Sequence, residues 1–173
     1  ILGLPAYVGA FFNLKSPTMS DIKVRQAMAY AISRKAIIDT NLNGEAALSY
    51  YPIPAGFVGF NPNAQKYETD QVKAKELITQ ANVGKANIRI VTLKNPTYEK
   101  IANTLAGYWK QIGLNPEVIT ADSVQLQQNF IRSRNYDILL SGGLDNNYTF
   151  NLINGTLAIT KATLNATADN KTR

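Results

Sequence analysis

Between residues 87 and 141 the sequence alternates two kinds of hydrophobic pattern, and no other feature limits the fold as much. Over residues 96–112, Ile101, Leu105, Tyr108, Trp109 and Ile112 fall on one face of a helix, with Pro96 at its start and Gly113 beyond its end. Strand-like runs flank it: residues 87–93 alternate, and 116–120 read as a short strand. Residues 123–132 then predict a capped helix, and 136–141 a buried strand ending at Gly142-Gly143. This order belongs to an α/β sheet with right-handed crossovers, whose ligand sites lie beyond the carboxyl ends of strands. The loop after Ser141 is therefore the first place to look for a ligand.

Upstream, residues 7–14 are aromatic and β-branched enough for a strand, and Ser16-Pro17-Thr18 carries turn signals. Ser20 and Asp21 offer N-caps to a helix whose apolar face is Val24, Ala27, Met28 and Ala31. Ser33 is a fresh cap for a second helical piece over 34–40, which Asn43-Gly44 ends. Residues 50–66 hold Pro52, Pro54, Gly56, Gly59 and Pro62, which exclude regular helix and favour an extended, aromatic-studded loop. Asp70 then caps a helix sketched by Val72, Lys73, Ala74, Leu77, Ile78 and Ala81 that stops near Gly84. From Leu144 the chain turns Asn- and Thr-rich, and only 157–168 carry a weak helical pattern. Its formal glycosylation triplets at Asn147, Asn154, Asn165 and Asn170 are put down to that composition. Residues 1–143 are expected to form one α/β lobe, with 144–173 a loop and weak helix of the same lobe.

The chain has no Cys and no His, which removes thiol nucleophiles, imidazole bases and most transition-metal sites. Ser141 beside Gly142-Gly143 lacks both the Gly-x-Ser-x-Gly elbow and a base to activate it. No dinucleotide fingerprint or phosphate-loop lysine appears, and the carboxylates read as caps or exposed helix positions. The expectation is a protein that is not an enzyme and needs no cofactor or metal. No apolar run approaches the ~18 residues that span a bilayer. A net charge of +6 keeps one alternative open, a non-catalytic basic adaptor or scaffold domain contacting nucleic acid or an anionic polymer, although Lys and Arg are dispersed rather than clustered. What remains is binding chemistry: loop aromatics, an acid after a buried strand, and a glycine pair that lets backbone approach a ligand. Each has a plainer account. Tyr50, Tyr51 and Phe57 can pack their own loop, Asp145 can be a turn residue, and Trp109 belongs to a core. For Asp137, a structural hydrogen bond at the start of its strand is the better reading.

Residues 21–38, DIKVRQAMAYAISRKAII, resemble the signature of the family 5 extracellular solute-binding proteins: an Asp, Val-Arg-Gln-Ala, a short Ala-rich helix, and Asp-Arg before a hydrophobic pair. Ser33 stands where the family commonly has Asp, an exchange of one good helix cap for another. FFNLKSP precedes this stretch; YYPIPAGFVGFNPNAQKY, TDQVKAKELITQA, LAGYWKQIGLNPEV and RNYDILLSG follow in the family's order, and ATADNKTR is similar to a later helix end. The resemblance implies a mixed sheet flanked by helices, one lobe of a two-lobe, class II periplasmic-binding-protein-like fold whose first lobe is missing. It implies a peptide or other small solute as ligand, ABC transporter permease subunits as partners, and no nucleic acid. It places the protein at the extracellular face of the membrane or in the periplasm, with a signal peptide or lipid anchor in the missing N-terminal part. Other members carry nickel complexes, haem, sugars or antibiotics, and the lack of His disfavours the metal case. In the family, an acid in the loop after the strand matching 136–141 anchors the peptide's amino terminus. Asp145 is its nearest counterpart here, although the family often has a Trp and an Asp-Pro pair where this chain has Leu144-Asp145-Asn146-Asn147. Gly142, Gly143, Tyr50 and Tyr51 are the residues expected to line the ligand.

Overall fold

A computed structural model describes residues 7–51, 53, 59–143, 148–153 and 156–161. Strand β1 (Tyr7–Phe12) leads into a four-residue helix, α1 (Pro17–Ser20), where turn signals alone were expected. The proline occupies the first turn of α1, where its fixed φ suits a helix and its missing N–H costs nothing. Asp21 caps α2 (Ile22–Ala31) by accepting from the Lys23 N–H at 2.8 Å, and Val24, Ala27, Met28 and Ala31 are all fully buried. Ser33 caps α3 (Arg34–Asn41) by accepting from the Ala36 N–H. Asn43 and Gly44, both at positive φ, close α3, and the Gly44 N–H donates to the Ile38 carbonyl.

Helix α4 (Gln71–Ala81) starts at Asp70, which accepts from the Lys73 N–H at 2.9 Å, and ends at left-handed Asn82. Its buried residues are Ala74 and Ile78, whereas Val72, expected on the apolar face, is 70% exposed. Two positions from Ala74, Val72 falls on the opposite side of the helix. Strand β2 (Asn87–Leu93) is followed by α5 (Pro96–Gln111), whose Asn95 cap accepts from the Thr97 and Tyr98 N–H groups. Ile101, Ala102, Leu105 and Trp109 of α5 are buried, and Ile112 follows them. The Trp109 ring is 1% exposed, and its Nε1–H donates to the Met28 carbonyl at 3.0 Å, tying α5 to α2. That bond satisfies the one polar atom of the indole, so the ring contributes its full apolar area to the core.

Strand β3 (Asn115–Ala121) pairs parallel with β2, from Asn87↔Asn115 to Leu93↔Ala121. Strand β4 (Ile138–Gly143) pairs parallel with the other side of β2, giving the order β1-β4-β2-β3. The Asn13 N–H donates to the Asp137 carbonyl, so the end of β1 lies against the start of β4, the opposed direction that makes the sheet mixed. Central β2 is buried on both faces from Ile90 to Thr92, as expected where helices cover a parallel strand.

The expected capped helix over 123–132 is shorter and differently wound. Asp122, in a reciprocal capping box with Gln125, starts α6 (Ser123–Gln125), which passes into a π-helical turn, Leu126–Ile131. The Arg132 N–H donates to the Gln127 carbonyl and the Asn135 N–H to the Phe130 carbonyl, both spanning five residues. No residue of α6 or the π-helical turn is fully buried, so packing constrains the winding there only weakly.

Residues 157–161 of the expected weak helix are strand instead. β5 (Tyr148–Ile153) and β6 (Thr156–Lys161) form an antiparallel pair whose last register is Ile153↔Thr156. The intervening dipeptide is Asn-Gly, a strong hairpin signal, and Thr156, Ile159 and Thr160 are β-branched, a preference that outweighs faint helical spacing. Residues Gly9–Ser141 make one compact unit; the hairpin belongs to the other, Ile1–Val8 with Gly142–Arg173. Asn147, Asn154, Asn165 and Asn170, and residues 162–168 of the expected helix, lie outside the described residues. Among the described residues no helix is long and apolar enough to cross a membrane.

Candidate functional site

The carboxyl ends of the parallel strands are where this topology directs a ligand. The Thr92 hydroxyl, fully buried, donates to the Leu140 carbonyl at 2.9 Å and braces β2 against β4 just before these ends. The Lys94 N–H then donates to the Ala121 carbonyl, and Asn95 and Asp122 turn their side chains to the first turns of α5 and α6. β4 runs on through both Gly142 and Gly143, and Gly142 is exposed. Glycine has no Cβ, so a neighbouring chain can lie closer to it than to any other residue. Asp145, with Leu144, Asn146 and Asn147, lies outside the described residues.

At the amino ends of the same strands the chemistry differs. Asp137 is 7% exposed, and one of its carboxylate oxygens accepts from the Arg89 backbone N–H at 2.8 Å and from Arg89 Nε at 3.1 Å. Arg89 Nη1 also donates to the Asn135 side chain, and Asn13 Nδ2 donates to the Arg134 and Tyr136 carbonyls. Burial alone would raise the Asp137 carboxyl. The Arg89 side chain, Ser16 and the Arg89 backbone all hydrogen-bond to it, and with the guanidinium charge they prevail and hold it below its ordinary 3.8. These bonds are what the sequence suggested for Asp137, a structural fastening at the start of a strand.

Tyr50 and Tyr51 sit at the first foot of the Pro-rich loop. The Tyr51 hydroxyl donates to the Pro62 carbonyl at 3.0 Å, and its ring meets Phe60 edge-on at 5.3 Å. Tyr51, Ile53, Gly59, Asn61 and Ala64 line a small cavity of about 70 Å³. Gly59 is at φ +91, and a Cβ there would come within 3.1 Å of Ile53. The Arg34 guanidinium lies over the Tyr50 ring at 5.2 Å, with Lys66 Nζ at 6.0 Å from the same ring. Tyr30 meets Tyr67 edge-on at 5.1 Å and takes Lys73 over its face at 4.4 Å. Burial pushes the Arg34 guanidinium below its usual value against the opposing influence of Tyr50; the Tyr30 hydroxyl raises Lys73.

The contacts of Tyr50 and Tyr51 are thus with α3 and with their own loop. Arg34 and Lys66 were not singled out from the sequence, because a basic residue just after a cap reads as solvent-facing. The one available signal was the Ser33-Arg34 pair within the family-like stretch. Among the described residues no three His, Cys, Asp or Glu side chains stand close enough to hold a metal.

Comparison with known proteins agrees with this architecture. Over 115 residues the chain is 29% identical to the dipeptide-binding protein of Escherichia coli K12, a match that covers 63% of this chain and 22% of that protein. It is 28% identical over 121 residues to heme-binding protein A of Haemophilus influenzae, covering 66% of this chain and 22% of the relative. The chain thus spans about a fifth of the length of these curated relatives. Among solved structures, the substrate-binding protein CtaP of an ABC transporter from Listeria monocytogenes superposes with a TM-score of 0.73 at 26% identity, covering 79% of this chain and 29% of that one. The mixed sheet with its flanking helices is accordingly part of a class II periplasmic-binding-protein fold. Residues 5–156, most of the sequence, match the family described as bacterial extracellular solute-binding proteins, family 5 middle, and the chain belongs to that family.

Proposed function

We propose that this chain is one ligand-binding lobe of a solute-binding protein that captures peptides outside the cytoplasm and delivers them to the permease subunits of an ABC importer. The observation that carries the reading is the family match over residues 5–156, together with a relative named for dipeptide binding. Those relatives favour import over a basic adaptor domain. Peptide is the cargo in this reading because main-chain hydrogen bonds and charged termini serve any peptide sequence. Residues 144–173 belong to the same lobe, and a first lobe, with the export signal or lipid anchor, completes the protein. Catalysis has no place in this reading, since every described carboxylate that is buried or capping is taken up by structural hydrogen bonds.

Within the lobe, Asp145 anchors the peptide's ammonium group by a charge-assisted bond. Gly142 and Gly143 admit the peptide backbone, and Tyr50 and Tyr51 line the approach. The test is calorimetric titration of the complete protein with free and N-acetylated peptides. Asp145→Asn should weaken binding of free peptides about tenfold or more, and of acetylated ones much less, because only the former lose an ion pair. Equal losses for both would remove Asp145 from this role.

A further inference from the structure

Residues 49–51 leave the helical layer and residues 64–67 come back to it, and the contacts at these two feet are unequal. The returning foot is fastened repeatedly: the Asp70 N–H donates to the Tyr30 carbonyl at 2.9 Å, the Thr69 hydroxyl to the Ile32 carbonyl at 2.9 Å, and Gln71 Nε2 to the Ala31 carbonyl. The departing foot has one described attachment to the helices, the Tyr50 ring beneath the Arg34 guanidinium. The same guanidinium reaches the returning foot, where Nη1 donates to the Tyr67 carbonyl at 2.7 Å. One half-buried side chain therefore touches both feet. An arginine suits this because its planar group can present a face to an aromatic ring while its edge donates a hydrogen bond. An ammonium has no flat face to stack and no rigid fork, so a lysine holds the same pair of contacts less firmly.

We infer that Arg34 is a positioning residue, whose guanidinium clamps the two feet of this loop together and so holds Tyr50 and Tyr51 in place for a ligand. The ligand clause rests on the peptide-binding reading above; the clamp itself does not. Lys66, on the same Tyr50 ring, cannot substitute, because no described contact takes it to the helices. Tyr50 and Tyr51 are thereby held against the described residues 59–67, to which the Tyr51–Phe60 and Tyr51–Pro62 contacts also fasten them.

The experiment uses the complete protein and reads two quantities at a temperature far below global unfolding: the rate of chymotryptic cleavage after Phe57 and Phe60, and the affinity for a dipeptide. Arg34→Lys should raise cleavage about tenfold and weaken dipeptide binding about tenfold, with the melting temperature little changed, because a locally loosened segment opens without unfolding the core. Tyr50→Phe, which keeps the ring face, should behave like the unsubstituted protein; Tyr50→Leu should raise cleavage about threefold or more, because it removes the stack. Lys35→Gln, at the exposed neighbouring position, should change neither quantity. Cleavage unchanged in both Arg34→Lys and Tyr50→Leu would overturn the clamp. Raised cleavage with undiminished affinity would overturn the positioning role. A complete unsubstituted protein that binds no peptide would instead sink the functional reading and the positioning role with it, while the cleavage rates still decide whether the clamp exists.

Discussion

The two ends of the parallel strands are built from different materials. At the amino ends, a buried carboxylate, a guanidinium and an asparagine connect β1, β2 and β4 through side-chain hydrogen bonds. At the carboxyl ends, Asn95 and Asp122 serve only the helices that follow them, and β4 finishes in two glycines. The helical layer over the sheet is common to both ends, with Trp109, Leu105 and Ile101 of α5 against Ile88, Ile90 and Ile138 of the sheet. The difference teaches where stability and exposure have been separated. One end holds strand order through charged groups that cannot be lost without leaving a partner unsatisfied; the other ends in glycines and helix caps, without a described ion pair.

If that contrast is right, the largest effect belongs to the amino end. Asp137→Ala should cost about 2–4 kcal/mol in denaturant titration, because the Arg89 N–H loses a buried acceptor and its guanidinium a partner. The half-exposed guanidinium places the expected value below that of a fully buried pair. A cost under about 1 kcal/mol would mean that the network is decorative.

Acid should sharpen the same point. The folded Asp137 carboxyl titrates below its unfolded value of 3.8, so its contribution is complete above that pH and disappears as the pH falls through the folded pKa. Between pH 7 and pH 3 the unsubstituted protein should lose more stability than Asp137→Asn, which has no proton to gain there. Identical acid slopes for the two proteins would contradict the assignment.

The smallest effect is expected at the carboxyl end. Asp122→Ala removes a capping box from a short exposed helix and should cost about 1 kcal/mol or less, leaving the sheet undisturbed. A cost matching that of Asp137→Ala would erase the distinction between the ends.

The parts of this fold legible in the sequence are those where local chemistry and burial agree. Asp21, Ser33 and Asp70 announce their helices because a cap acts on the next turn, and Trp109 could be assigned to the core because its helix repeats apolar residues over several turns. The π-helical turn was not legible. Leu126, Phe130 and Ile131 fit an α-helical period closely enough, and the choice between hydrogen bonds spanning four or five residues leaves little trace in composition. β6 was not legible because a short Asn/Thr-rich run has weak periodicity of either kind, and only the Asn-Gly dipeptide before it signals a hairpin. Of the candidate site, Gly142 and Gly143 were found from topology alone, but both were expected to end β4 rather than form part of it. The Arg34 clamp depends on residues far apart in sequence, which a local pattern cannot bring together.

The claim on which the account rests is that this chain is one lobe of a binding protein that shares its ligand with another. Calorimetry with the same dipeptide, on these 173 residues alone and on the complete protein, tests it most directly. A ligand held between two surfaces loses much of its contact area when one is removed, so a micromolar complex at about −8 kcal/mol that keeps half its interaction energy falls to about −4, which is millimolar. The account predicts micromolar or tighter binding by the complete protein and no better than millimolar binding by this chain. Submicromolar dipeptide binding by the chain alone would contradict it.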